Sequence, residues 1–128
     1  MTGKWHLVAN TDDIEEEDVL GVNVEGTAVA VYNINGQFYA TENICTHAFA
    51  FLSEGIVIDD IIECPVHQGR FHIPTGKPKG APVSIALDTY TTTVEDATVY
   101  VQLNAGEFYL MIIWPSWTPT IDPRLFSH

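Results

Sequence analysis

Two cysteines and two histidines stand in this chain as paired metal-type donors. Cys45-Thr46-His47 sets a thiol two residues before an imidazole, and Cys64-Pro65-Val66-His67 sets the second thiol three residues before another. Sixteen residues, Ala48 to Glu63, separate the pairs. Thiolate sulfur and neutral imidazole nitrogen are ligands for zinc, copper and iron. The pattern therefore offers four donors on two short segments. Cys45 and Cys64 are the only cysteines. In a secreted protein they would suggest one disulfide, whereas in a reducing cytosol paired cysteines more often bind metal.

Four uses compete for these residues. Free cysteines are common in cores, but two Cys–His coincidences flanking one segment make an incidental arrangement a poor account. A structural Cys2His2 zinc site fits the donor set but not the first spacing, because zinc sites usually begin C-x2–4-C. A Cys–His nucleophile explains one pair and leaves the other without a role. A two-iron, two-sulfide cluster with two imidazoles in place of two thiolates uses all four.

The elements that must position them are β-strands. Ala28 to Ile34 and Gln37 to Thr41 flank Asn35-Gly36, a strong hairpin signal. Ile56-Val57-Ile58 and Ile61-Ile62-Glu63 flank Asp59-Asp60, and Thr91 to Glu95 and Thr98 to Leu103 flank Asp96-Ala97. Lys4 to Ala9 and Val19 to Val24 have the same texture, and no segment sustains a helical period. The expected fold is all-β: a small antiparallel sandwich or barrel base with an inserted cluster-binding subdomain. The hairpin at Asp59-Asp60 lies between the two donor pairs, so its closing brings their loops face to face.

The chain has 128 residues, enough for one domain, with 46% hydrophobic residues for a core. Five Lys plus Arg against seventeen Asp plus Glu give a formal charge of -12. That balance argues against nucleic acid and against an anionic membrane surface, and it favours basic patches on protein partners. The N-terminal residues lack an apolar targeting segment, and the longest apolar run, Phe108 to Trp114, is far below the roughly 20 residues that span a bilayer. A cytoplasmic location is expected. Six of the acids crowd into Asp12 to Asp18, either a solvated loop or a docking face.

The wording Asn43-Ile44-Cys45-Thr46-His47 and Cys64-Pro65-Val66-His67-Gln68-Gly69-Arg70-Phe71 resembles the Rieske-type [2Fe–2S] ferredoxins of bacterial aromatic ring-hydroxylating dioxygenase systems, over roughly residues 4 to 104. The resemblance implies one [2Fe–2S] Rieske cluster. Cys45 and Cys64 would hold one iron and His47 and His67 the other. Two ferric ions, two sulfides and two thiolates sum to zero, so reduction leaves a single negative charge. A four-thiolate cluster starts doubly negative, which is why imidazole ligation raises the potential. The resemblance further implies an electron carrier, with a flavin-containing ferredoxin reductase and a terminal Rieske oxygenase as partners. An alternative within the same fold is the Rieske-like small subunit of an assimilatory nitrite reductase; a zinc-stabilised binding module is a third reading. High-potential relatives carry a disulfide between the cluster loops, and Ser and Tyr hydroxyls on the sulfurs. The matching positions here are Ala50, Val66, Gly69 and Phe71, so a midpoint near the low end, about -150 mV, is expected.

Catalysis within the chain itself is not expected. A mononuclear iron site needs two His and a carboxylate. Only His6, His72 and His128 remain, scattered, and there is no glycine-rich dinucleotide fingerprint. His72 is read as a non-ligand. Gly69 and Gly80 are candidates for close backbone approach, Pro82 for a third loop over the cluster, and Phe49 and Phe51 for an apolar docking rim or for packing. The expected organisation is a domain over 1–105, its cluster-binding part about 43–83, followed by a C-terminal extension over 106–128. That extension is either an added strand with a proline-rich tail or a contact for another protein.

Overall fold

The computed structural model describes residues 4–46, 49–80 and 83–103. His47, Pro82 and the C-terminal extension lie outside the described residues.

Among the described residues nine strands run in chain order as β1 (Trp5–Asn10), β2 (Asp18–Val24), β3 (Thr27–Ile34), β4 (Gln37–Glu42), β5 (Ile56–Ile58), β6 (Ile61–Glu63), β7 (Arg70–His72), β8 (Thr89–Glu95) and β9 (Thr98–Gln102). Six form one antiparallel sheet in the order β1-β9-β8-β4-β3-β2, and β5-β6-β7 form a second. The edge strands β1 and β2 come into contact, so the large sheet curls toward a barrel. The described helical pieces are two single 3-10 turns, Thr11–Asp13 and Leu52–Glu54. The expected all-β architecture is present, as is every strand expected before residue 104.

Turn chemistry sets the hairpins. Asn35 and Gly36 sit at φ 56° and 85°, Glu25 and Gly26 at 50° and 90°, and Asp96 and Ala97 at 53° and 58°. Two successive residues at positive φ match the twist of the strands they join. The β5–β6 turn uses Asp59 at φ 55° and puts Ile58 opposite Ile61.

The core has two parts because β3 is buried on both faces. Successive side chains on a strand point to opposite sides. Val29 and Val31 pack inside the curled sheet with Val24, Phe38, Ala40, Val99 and Val101. Ala30 and Tyr32 face the other way and pack with Leu52, Ile62, Phe71, Ile73, Val83 and Leu87. Cys45 and Cys64 belong to that second cluster. The thiols therefore lie between the base sheet and the small sheet.

Candidate metal centre

Each cysteine opens a loop closed by its own backbone. The Cys45 N–H donates to the Ala50 carbonyl at 3.0 Å, and the Cys64 N–H donates to the Gly69 carbonyl at 2.6 Å. Both bonds span five residues and enclose four, one of them a histidine in the sequence. The first loop is clasped below this bond by an isolated bridge between Ile44 and Phe51. The second is continued by the Glu63–Arg70 strand pair, whose side chains also meet at 3.0 Å. In the second loop His67 and Gln68 take φ 60° and 58°, a tight reversal that leaves both exposed at the tip.

Asn43 fixes the base of the first loop. It is buried; its N–H donates to the Ala28 carbonyl and its own carbonyl accepts from the Leu52 N–H. Its side-chain amide donates to Ser53 Oγ at 3.0 Å, and its side-chain oxygen accepts from the Ser53 N–H at 2.8 Å. Gly21 of β2 runs against this clasp, where a Cβ would stand 2.5 Å from Ser53 Oγ. The position requires glycine for close approach, not for backbone freedom. A third segment reaches the first loop through Thr46, whose hydroxyl donates to the Ile85 carbonyl at 2.7 Å.

The two thiols meet. Cys64 is fully buried and Cys45 nearly so, and the Cys45 side chain is a hydrogen-bond partner of Cys64. Burial pushes the Cys64 thiol above its usual value and the neighbouring Cys45 adds to this, while the Val66 N–H, 3.4 Å from the Cys64 sulfur, pulls the other way. Two adjacent buried thiols do not ionise readily unless a cation neutralises them. That is the environment of metal-bound thiolates, which are deprotonated by the ion they hold.

Of the four expected ligands, the structure brings together Cys45 and Cys64. His67 stands on the tip of the second loop, and among the described residues no third His, Cys, Asp or Glu joins the thiols. His72 is engaged elsewhere: one ring nitrogen meets Asp60 at 2.9 Å and the other meets Thr75 at 2.8 Å. Its reading as a non-ligand agrees with this. Phe49 is wholly exposed and Phe51, Ile44 and Ile85 are partly so, so Phe49 is not a core residue. Gly80 has φ 111° with open space around it, so it serves conformation and not close approach. Gly69 contributes the carbonyl that closes the second loop. Asn43, Thr46 and Gly21 were not singled out from the sequence, and a lone Asn, Thr or strand glycine carries no signal by itself.

The fold and site define an all-β protein in which a curled antiparallel sheet carries a smaller sheet and two cysteine-opened loops bring a buried thiol pair together. Residues 4–91 match the family model of the Rieske [2Fe-2S] domain, and the chain belongs to that family. The cluster the family carries fits the donor chemistry present: buried thiols on one side and an exposed histidine loop on the other. The ferredoxin component of the naphthalene 1,2-dioxygenase system of Pseudomonas putida is 46% identical over 104 residues, which is 81% of this chain and 100% of that protein. A solved complex of reduced oxygenase and oxidized ferredoxin in carbazole 1,9a-dioxygenase contains a chain that matches at 40% identity and TM-score 0.74, over 77% of this chain and 92% of that one. A Mycobacterium tuberculosis protein provisionally assigned as the small subunit of an NADH-dependent nitrite reductase matches at TM-score 0.71 over 78% of this chain and 95% of that one; at 21% identity this shows the fold alone.

Proposed function

We propose that this chain is the ferredoxin of an aromatic ring-hydroxylating dioxygenase system, accepting single electrons from a flavin-containing reductase and delivering them to a terminal oxygenase. The observation that carries the reading is the buried Cys45–Cys64 contact beneath two loops, each with a histidine three or fewer residues on. In this assignment Cys45 and Cys64 hold the inner iron, and His47 and His67 the outer one. The bound [2Fe–2S] cluster supplies a one-electron couple.

The chain's own residues shape that couple and its exit. Burial of the two cysteines keeps water from the inner side. His67 is exposed, so the histidine side is the edge a partner reaches. Phe49, Phe51, Ile44 and Ile85, exposed on the first loop and on the segment tied to it, supply apolar area that a docked partner covers. Relatives named as ferredoxin components of dioxygenase systems support a carrier role rather than catalysis.

The ferredoxin component of Pseudomonas putida, with its high identity, supports this reading over the nitrite reductase alternative, which has likeness of fold only. The domain is assigned to 1–105, with 106–128 as an extension. Among the described residues no helix is long and apolar enough to cross a membrane, and reduced thiols suit a cytoplasmic location. The test is reconstitution with purified reductase and oxygenase of the naphthalene 1,2-dioxygenase system. Reduction by NADH through the reductase and support of product formation are expected. A holoprotein that exchanges electrons with neither would overturn the assignment.

A further inference from the structure

The small sheet covers one side of the curled base, where Ala30 and Tyr32 of β3 and Thr41 of β4 are buried. Another side is formed by β1, β9 and β8. On β9, Val99 and Val101 point into the curl, so Tyr100 and Gln102 point out of it. Leu7 and Thr93 stand opposite Tyr100, and Trp5 and Thr91 stand opposite Gln102. Residues opposite each other in an antiparallel pair share a face. These six therefore form two rows about 7 Å apart, and none of them carries a charge. Leu7 is 65% exposed and Trp5 is 42% exposed. Both lie on a strand at the end of the sheet order, where exposed apolar residues invite association. Gln102 is buried, although its two partners on that face, Trp5 and Thr91, are exposed. The end of β9, where the chain leaves the sheet, is thus covered, while the face at Leu7 is open.

We propose that this face seats the chain's own C-terminal segment, with Phe108 to Trp114 laid across Trp5, Leu7 and Tyr100. Position favours this occupant. Gln102 ends β9, and the five residues Leu103 to Glu107, with Asn104 and Gly106 suited to a reversal, lead into a run of seven apolar residues. At the rise of a strand seven residues reach about 23 Å, against about 17 Å for the five of β9. Charge favours it too. Phe108 to Trp114 carries none, in a chain of formal charge -12, so an uncharged run meets an uncharged face. Tethering decides between this segment and a second copy. A segment joined to the face by a short connection acts at an effective concentration on the order of millimolar, whereas a second copy brings the same -12 and is repelled. The cover leaves the ligand loops open, because Cys45 and Cys64 pack with the residues under the small sheet.

The test is photo-crosslinking in the full-length holoprotein. Leu7→p-benzoylphenylalanine places the probe on the face, and Lys79→p-benzoylphenylalanine places it at an exposed site off the face. After irradiation, crosslinked peptides are mapped by mass spectrometry. The probe at position 7 should join peptides from 106–128 at the monomer mass, at least tenfold more often than the probe at position 79. Crosslinks at twice the monomer mass in their place make the occupant a second copy and overturn the proposal. A position-7 probe that joins no peptide of 106–128, or joins it no more often than the control, overturns it as well. Chymotrypsin adds a readout without the probe. Leu7→Asp puts a charge beneath the segment and should speed cleavage within 106–128 about fivefold, with the visible spectrum of the cluster unchanged, while Leu7→Ile should cleave at the wild-type rate. Equal cleavage in all three proteins contradicts the seat.

Discussion

The carboxylate of Glu17 accepts a 2.6 Å hydrogen bond from the backbone N–H of Asp59, 42 residues away. Glu17 itself sits at φ 61°, and its N–H donates to the Asn33 carbonyl at 2.7 Å. The base sheet therefore holds the β5–β6 turn through one side chain. That turn is the far end of the small sheet whose near end carries Cys64. One member of the acidic run thus has a structural partner, while its neighbours Glu15, Glu16 and Asp18 remain exposed. Replacing Glu17 with Ala should cost about 1 kcal/mol, as expected for one largely solvent-exposed charged hydrogen bond. The Asp59 amide should exchange roughly fivefold faster. Denaturant midpoints and amide exchange measure both; unchanged exchange at Asp59 would show that the bond does no structural work.

Thr46 lies between the first cysteine and its histidine and bonds to the Ile85 carbonyl, tying the first loop to the third segment. Thr46→Val removes the donor and keeps the shape, so about 1 kcal/mol of loop stability should be lost. Holoprotein challenged with an iron chelator should bleach faster in the visible, while Thr46→Ser should bleach at the wild-type rate. Equal rates for all three would rule out the tie.

Tyr32 is fully buried and its hydroxyl lies 2.9 Å from Thr41 Oγ1. The Thr41 proton goes to the Glu42 carbonyl, so Tyr32 donates. Burial raises the Tyr32 phenol well above its ordinary value. Tyr90 is raised to about 12, again chiefly by burial and then by Asp88 and Glu42. For an acid raised in the folded state, the unfolded chain loses its proton first, so stability is whole at neutral pH and falls as pH rises past about 10. Tyr32→Phe should flatten part of that alkaline fall, and should remove one late-titrating phenol from the 295 nm absorbance titration. An alkaline limb identical to wild type would contradict the assignment.

Much of this was legible in the sequence for a physical reason. Asn35-Gly36 and Asp59-Asp60 announce their turns because few residue types tolerate positive φ, and the hairpin they imply already brings Cys45 and Cys64 together. β7 was not legible: Arg70–His72 is three residues with one buried position, too short for a period of two to register. The Asn43 clasp, the Thr46 tie and the Glu17 strut join positions 10 to 42 residues apart. Such pairings are set by topology and leave no local pattern. The pairing of residues 77–79 back along β7 was equally hidden, because it forms only after the chain doubles back.

The reduction potential should sit low in the Rieske window. Gly69 and Phe71 offer no hydroxyl to a sulfur; Gly69 lends its carbonyl to Cys64 N–H, and Phe71 is buried in the core. Fewer hydrogen bonds to sulfur stabilise the reduced state less. A redox titration should give a midpoint near about -150 mV. Phe71→Tyr should raise it if its hydroxyl reaches a cysteine sulfur. A clearly positive wild-type midpoint would contradict this account.

The central claim is that Cys45, His47, Cys64 and His67 together hold one [2Fe–2S] cluster. Electron paramagnetic resonance of the dithionite-reduced protein, beside His47→Ala and His67→Ala, tests it most directly. The account predicts a red-brown wild-type protein with a reduced-state signal whose average g lies below that of all-cysteine clusters, and loss of that signal in both variants. A signal that survives in either variant, or a colourless protein that retains zinc, would contradict it.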